Sequence, residues 1–197
     1  MKDGRVPLLF ILVLGIVLIL IVRVVHYDRL KSSYEGMGRE YDTLMRDYQA
    51  LKISRQDNIK TRVEGRIQEL RPRLDPALRL NIADAIIRHS KEHGLSNSLV
   101  LHLIYVESRF NPLATSKAGA AGLMQIMPKV WKIKLEENGV KQPFELYYID
   151  PNIRVGCEIL ALCLKDRTLV EGLEKYVGGK QEKYIRDIFR LMAEWER

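Results

Sequence analysis

The sequence predicts a mainly α protein in which an amino-terminal membrane-spanning helix leads into a helical stalk and then a compact helical domain. Three observations carry that prediction. The first two dozen residues are almost all apolar, residues 27–54 repeat in sevens, and beyond Pro72 apolar residues recur at helical spacing with no stretch that alternates as a strand. With 197 residues in all, the part left to fold is the size of one domain. A chain that is 47% hydrophobic and 29% charged is neither disordered nor collagen-like. The net charge of +7 is spread thinly along the chain and not gathered on one tail, which argues against a nucleic-acid partner. Cys157 and Cys163 are the only cysteines. In one predicted helix they are separated by about 9 Å of rise, too far for a disulfide, and they offer no cysteine metal site.

Within residues 6–22 only Pro7 and Gly15 interrupt the apolar run, and Val24 and Val25 extend it past Arg23, which can snorkel to a headgroup. That length spans a bilayer. The first alanine in the chain is Ala50 and no small-x-small triplet follows the run, so residues 1–25 are expected to form an uncleaved anchor. Lys2 and Arg5 precede the span while Arg23, Arg29 and Lys31 follow it, so flanking charge does not set the orientation.

Residues 26–72 are predicted to form the stalk. Tyr27, Tyr34, Tyr41 and Tyr48 share one heptad position, and Leu30, Met37, Leu44 and Leu51 follow three residues later, the spacing of an apolar coiled-coil seam. Asp47 and Lys52 have the spacing of an interhelical charge pair. Gly36 and Gly38 soften the helix by roughly 1 kcal/mol each relative to alanine. The pattern fits either a homo-oligomer formed through residues 27–54 or an amphipathic helix folded back on its own domain. Ile59, Val63, Ile67 and Leu70 continue a helical stripe until Pro72 stops it.

Residues 73–197 make up the predicted domain. Asp75 followed by Pro76 reads as an N-cap and first turn, Leu78, Ile82, Ala85 and Ile86 line one face, and Gly94 ends the helix. A second helix is expected from Ser96 or Asn97 to Ser108, and further helices around 128–137, 151–166, 169–176 and 181–196. His89 and His93 stand one turn apart, with His102 on the next helix, but no carboxylate lies between the pair to activate water as in a zinc hydrolase. With Arg88, Lys91 and Glu92 beside them, they read as an exposed polar face. No metal or cofactor is expected.

The chemistry concentrates in residues 107–128, ESRFNPLATSKAGAAGLMQIMP. Glu107 follows Leu103, Ile104, Tyr105 and Val106, and a carboxyl group beside apolar walls keeps its proton to higher pH, as a general acid requires. Asn111-Pro112 breaks the helix, and Gly119, Ala120, Ala121 and Gly122 are small enough to floor a cleft. Gln125 offers an amide and Ser116 a hydroxyl, which suit amide-bearing sugars better than phosphates.

Glu107-Ser108, Phe110, Asn111-Pro112, Ala114, Ser116, Gly119-Ala120 and the run Gly122-Leu123-Met124-Gln125-Ile126-Met127-Pro128 resemble the first two signature motifs of the soluble-lytic-transglycosylase (SLT) domain family, relatives of goose-type lysozyme. Asp150-Pro151-Asn152-Ile153 with Gly156 and Leu160 resembles the family's next element, a helix packed behind the cleft. The likeness covers roughly residues 80–190. Where the family's third motif reads Ala-Tyr-Asn-Ala-Gly, this chain has Lys175-Tyr176-Val177-Gly178-Gly179, so Tyr176 is kept and an asparagine is replaced by Val177, which neither donates nor accepts a hydrogen bond.

The resemblance implies a lysozyme-like helical domain acting on peptidoglycan glycan strands. Glycosidases ordinarily use two carboxylates, yet Glu107 has no acidic partner in the motif stretch, and Glu136 and Glu137 fall in a charged, solvated segment. In the family one glutamate serves as acid and then base. It protonates the bond between N-acetylmuramic acid and N-acetylglucosamine, the substrate's N-acetyl group assists, and the muramic C6 hydroxyl closes a 1,6-anhydro ring. That makes Glu107 the expected catalytic residue, with Ser116, Met124, Gln125 and Tyr176 binding substrate and Tyr176 bonded to the carboxylate. The substrate would place the domain outside the cytoplasmic membrane, anchored by a single pass. A hydrolytic muramidase and a weakened glycan-binding scaffold are the competing expectations.

Overall fold

The computed structural model describes residues 8–195. Lys2, Arg5, Val6 and Pro7, which the sequence reading sets before and at the start of the apolar run, and Glu196, set at the end of the last helix, lie outside the described residues. The chain divides into two compact units, Met1–Arg55 and Gln56–Arg197. The secondary structure is helical throughout, and among the described residues the only β pairing is a set of isolated bridges.

Helix α1 runs Leu8–Leu70. In the first unit its apolar stretch is long enough and apolar enough to cross a membrane, with a window of mean hydropathy 2.6 and none of it buried. Farther along, Tyr27, Tyr34, Tyr41, Tyr48, Leu30, Met37, Leu44 and Leu51 are all exposed, so the heptad stripe has no cover within its own unit.

The second unit begins at Gln56, whereas the sequence reading began the domain at 73. The reason is the stripe that continues past the heptads. Val63 and Ile67 are fully buried and Ile59 and Leu70 pack on the core, so residues 56–70 are part of the domain's own wall. The chain then turns into α2 (Pro76–Glu92), where the Asp75 carboxylate accepts the Leu78 N–H at 2.9 Å and Pro76 opens the first turn. Helix α3 (Asn97–Ser108) follows, and its Leu99, Val100, Leu101, Leu103 and Ile104 are buried. Helix α4 is a single short piece, Lys132–Glu137. The helix expected from residue 128 starts late because Met127 to Trp131 close turns on the Met127 carbonyl, and of the short helix only Leu135 is buried.

A 3₁₀ turn runs Pro143–Tyr147, where the sequence predicts no helix. The Glu145 carboxylate accepts the N–H groups of Lys141 and Gln142 at 2.9 and 2.7 Å, and Leu146 is fully buried. Helix α5 (Ile149–Leu164) is the central one, with Ile153, Val155, Cys157, Ile159, Leu160 and Cys163 buried, packed by α2, α6, α4 and the 3₁₀ turn. Helix α6 (Leu169–Val177) starts on a Thr168–Glu171 capping box and ends on Gly178 at φ 82°. Helix α7 (Glu182–Trp195) lays Ile185, Ile188 and Leu191 into the core beside α3.

His89 departs from expectation. His89 is buried, with Nδ1 at 2.7 Å from Glu92 and Nε2 at 2.9 Å from Asp150, so it ties α2 to α5 and does not face solvent. His102 is fully buried on α3. For His89, α5 covers what a single helix would have left exposed.

Candidate active site

Glu107 stands in the last turn of α3, half-buried. The chain leaves that helix sharply, because Arg109 (φ 54°) and Phe110 (φ 58°) both adopt the left-handed conformation. Two consecutive non-glycine residues in that region are costly. Two contacts offset the strain: Phe110 is fully buried against Tyr105, and the Arg71 guanidinium donates to the Arg109 carbonyl at 2.7 Å.

The loop that follows folds on itself. Ala121 exchanges backbone hydrogen bonds with Ile126 at 2.9 and 3.0 Å, the Gly122 N–H donates to the Ala114 carbonyl, and the Ser116 N–H donates to the Ala120 carbonyl. Asn152, fully buried in the first turns of α5, holds the loop from beneath. Its amide donates to the carbonyls of Ala121 (3.0 Å) and Leu146 (2.7 Å), and its Oδ1 accepts the Met124 N–H (2.8 Å). Gly122 must be glycine twice over. Its φ is 78°, and a Cβ there would strike the Asn152 amide and the Leu146 carbonyl.

The expected site residues take several different places. Tyr176, half-buried on α6, donates its hydroxyl to the Met124 carbonyl at 2.8 Å, so it bonds the loop and not the carboxylate. The hydroxyl on Glu107 is that of Tyr184 from α7, donated to Oε1 at 2.6 Å. Met124 is fully buried and its sulfur packs over Gly156, so the side chain has no surface to offer a glycan. The Gln125 amide donates to the carbonyls of Ala114 (3.1 Å) and Gly122 (2.9 Å), leaving its Oε1 as the remaining polar atom. The Ser116 hydroxyl accepts the Ala120 N–H at 3.0 Å. Val177, in place of the family asparagine, closes α6 half-buried.

Tyr184 escaped the sequence reading although a signal was there. It shares the i, i+4, i+7 stripe of α7 with the buried Ile188 and Leu191. A tyrosine on a buried stripe carries its phenol inward, where the hydroxyl needs a partner.

Burial pushes the Glu107 carboxyl up from 4.5 to about 7, opposed by the Tyr184 hydrogen bond, which favours the charged form. Burial also raises the Tyr176 and Tyr184 phenols above their ordinary range, with the Glu107 charge adding to both, so each stays a neutral donor. With Oε1 accepting from Tyr184, Oε2 is left to carry the proton. Near neutral pH such a group can both give and take a proton. Glu136 and Glu137 are exposed on α4 and face Lys132 and Lys134, so neither supplies a second carboxylate. No group of three or more metal-binding side chains gathers among the described residues.

A helical domain with one half-buried carboxyl group of raised pKa agrees with what the chain matches. Residues 84–171 fit the family model described as Transglycosylase SLT domain. Over 80 residues the chain is 38% identical to the membrane-bound lytic murein transglycosylase C of Actinobacillus succinogenes, taking in 37% of this chain and 22% of that protein. Over 93 residues it is 31% identical to the protein of the same name from Haemophilus ducreyi, 46% of this chain and 25% of the other. Among solved structures, the lytic transglycosylase Slt of Pseudomonas aeruginosa, an inactive mutant, aligns with 57% of this chain and 23% of its own at 23% identity and a TM-score of 0.45. The chain thus spans about a quarter or less of the length of the curated relatives it matches.

Proposed function

We propose that the protein is a membrane-anchored peptidoglycan lytic transglycosylase. The observation that supports this most is the half-buried Glu107 carboxyl, set within the segment that fits the SLT model, pushed up to about 7, and hydrogen-bonded to a tyrosine with no carboxylate partner among the described residues. Protonated at Oε2, Glu107 gives its proton to the glycosidic oxygen between N-acetylmuramic acid and N-acetylglucosamine as the substrate's own N-acetyl group assists. The carboxylate that results, steadied by the Tyr184 hydroxyl, takes the proton of the muramic C6 hydroxyl as that oxygen closes the 1,6-anhydro ring. Protons balance and no water is consumed. Tyr176 holds the Met124 carbonyl and with it the loop that floors the cleft, while the Gln125 carbonyl oxygen and the Ser116 hydroxyl are the polar groups offered to the glycan.

The apolar part of α1 serves, on this reading, as a single-pass anchor in the cytoplasmic membrane with the domain on the outer side, where peptidoglycan lies. The uncovered heptad stripe of residues 27–54 takes a second copy of the chain as its partner, since the period of seven and the Asp47–Lys52 spacing suit two such helices.

Mass spectrometry of muropeptides released from purified peptidoglycan by the full-length protein in detergent tests the proposal. Anhydromuramic ends are expected. Reducing ends would identify a hydrolytic muramidase, and glycan binding without released product would identify a scaffold, for which Val177 is the residue to examine.

A further inference from the structure

The two groups of the carboxyl centre come from different helices, Glu107 from α3 and Tyr184 from α7, and their 2.6 Å bond exists only while those helices keep their spacing. One side chain grips both. Arg66, from the part of α1 inside the second unit, donates Nε to His102 Nε2 on α3 at 3.2 Å. Its Nη2 donates to the Leu191 carbonyl (3.2 Å) and the Glu194 carboxylate (3.0 Å) on α7, and Nη1 to Glu69 of its own helix (3.1 Å). The Arg66 side chain is only 12% exposed. A planar fork with fixed donor directions suits this task as a lysine would not.

The acceptor on α3 is built for the arginine. Burial pushes His102 down to about 4, with the Arg66 charge adding and Ser98 and Glu194 opposing, so the ring is neutral. Nε2 accepts from Arg66, which places the ring proton on Nδ1, facing the Ser98 hydroxyl at 3.2 Å. Beside it the Trp195 ring meets the imidazole edge-on at 6.0 Å, and Arg62 lies over that indole at 4.8 Å while donating to the Trp195 carbonyl at 2.8 Å. His102 lies about 8 Å along α3 from Glu107, and Leu191 about 11 Å along α7 from Tyr184. Rigid helices carry a change of spacing over such distances.

We propose that Arg66 is a positioning residue for the carboxyl centre: by fixing α3 against α7 through His102, Leu191 and Glu194, it keeps the Tyr184 hydroxyl within hydrogen-bond reach of Glu107. The inference rests on Glu107 being the proton donor, and its test is read without turnover so that the two stand or fall separately.

In the full-length protein in detergent micelles, the Glu107 carboxyl is titrated by ¹³C NMR and assigned by its loss in Glu107→Gln. The groups facing it are Tyr184 from α7 and Tyr176 from α6. Tyr184→Phe removes a bond that favours the charged form and should raise the midpoint by about one unit. Arg66→Met should raise it comparably, and Arg66→Lys, which keeps the charge but loses the fork, should raise it in part. Combining Arg66→Met with Tyr184→Phe should shift it no further than Tyr184→Phe alone. An unmoved midpoint in folded Arg66→Met overturns the proposal, as does full additivity in the double variant, which would mark a direct charge effect. Should Arg66→Met fail to fold, an unmoved midpoint in Arg66→Lys overturns it equally. A wild type that titrates as described but releases no product would instead overturn the role given to Glu107.

Discussion

Glu107 is held where ionisation is opposed. Its carboxyl titrates at about 7 in the fold against 4.5 when free, so between those values the folded chain keeps a proton that the unfolded chain has given up. Stability therefore falls as pH rises through that window. The full cost, on the order of 3 kcal/mol, is present above pH 7 and absent below about 4.5. Glu107→Gln cannot ionise and fills the same space. It is expected to abolish turnover while raising the thermal midpoint at pH 8 and leaving it near wild type at pH 4, as measured by melts at the two pH values. A wild-type midpoint at pH 8 would mean that the carboxyl is not desolvated.

At the scale of elements, the loop after α3 depends on α5 and the domain wall on the end of α1. Asn152→Ala would leave the Met124 N–H and the Leu146 carbonyl without their partner in a buried place, while the Ala121 carbonyl keeps the Ile126 N–H. The expected loss is about 3–5 kcal/mol. Ser116→Ala removes one bond from a half-buried loop and should cost about 1 kcal/mol. Urea denaturation of the two variants compares them directly. Helix α1 gives the domain the buried Val63 and Ile67, the packed Ile59 and Leu70, and the Arg66 fork. The two fully buried apolar side chains alone stabilise by roughly 3–6 kcal/mol, within the range of a whole domain's stability. A fragment of residues 56–197 should thus melt cooperatively by circular dichroism, whereas 73–197 should not. Cooperative melting of the shorter fragment at the same temperature would show that the end of α1 is dispensable.

For the whole molecule, the first unit carries four exposed tyrosines and, three residues after each, an exposed leucine or methionine. Isolated helices are marginal in water, and Gly36 and Gly38 lower the margin further, so pairing through this stripe should need the membrane to raise local concentration. Cysteines placed at Leu44 or Leu51 of the full-length, membrane-embedded protein are expected to crosslink, while the fragment 26–197 stays monomeric at micromolar concentration. The native Cys157 and Cys163 are buried and do not compete. Equal crosslinking from cysteines at Arg39 or Arg46 would show that the stripe is not the interface.

The main helices, the cap at Asp75, the apolar span and the single motif carboxylate were legible in the sequence, because each depends on neighbours within a turn or two of chain. The resemblance likewise pointed to Asn152 without saying what it touches, and to Tyr176 as the partner of the carboxylate, a role the structure gives to Tyr184. Contacts across long separations decided the rest. The stripe ending at Leu70 could cover a partner or its own domain equally well, and only packing made Val63 and Ile67 core. His89 reads as exposed on its own helix, and only α5 supplies the partner that buries it. The exchange of roles between two tyrosines is the clearest case. Tyr176 and Tyr184 have the same chemistry, and which hydroxyl meets Glu107 is set by where α6 and α7 cross α3 and the loop, a geometry that local periodicity does not specify.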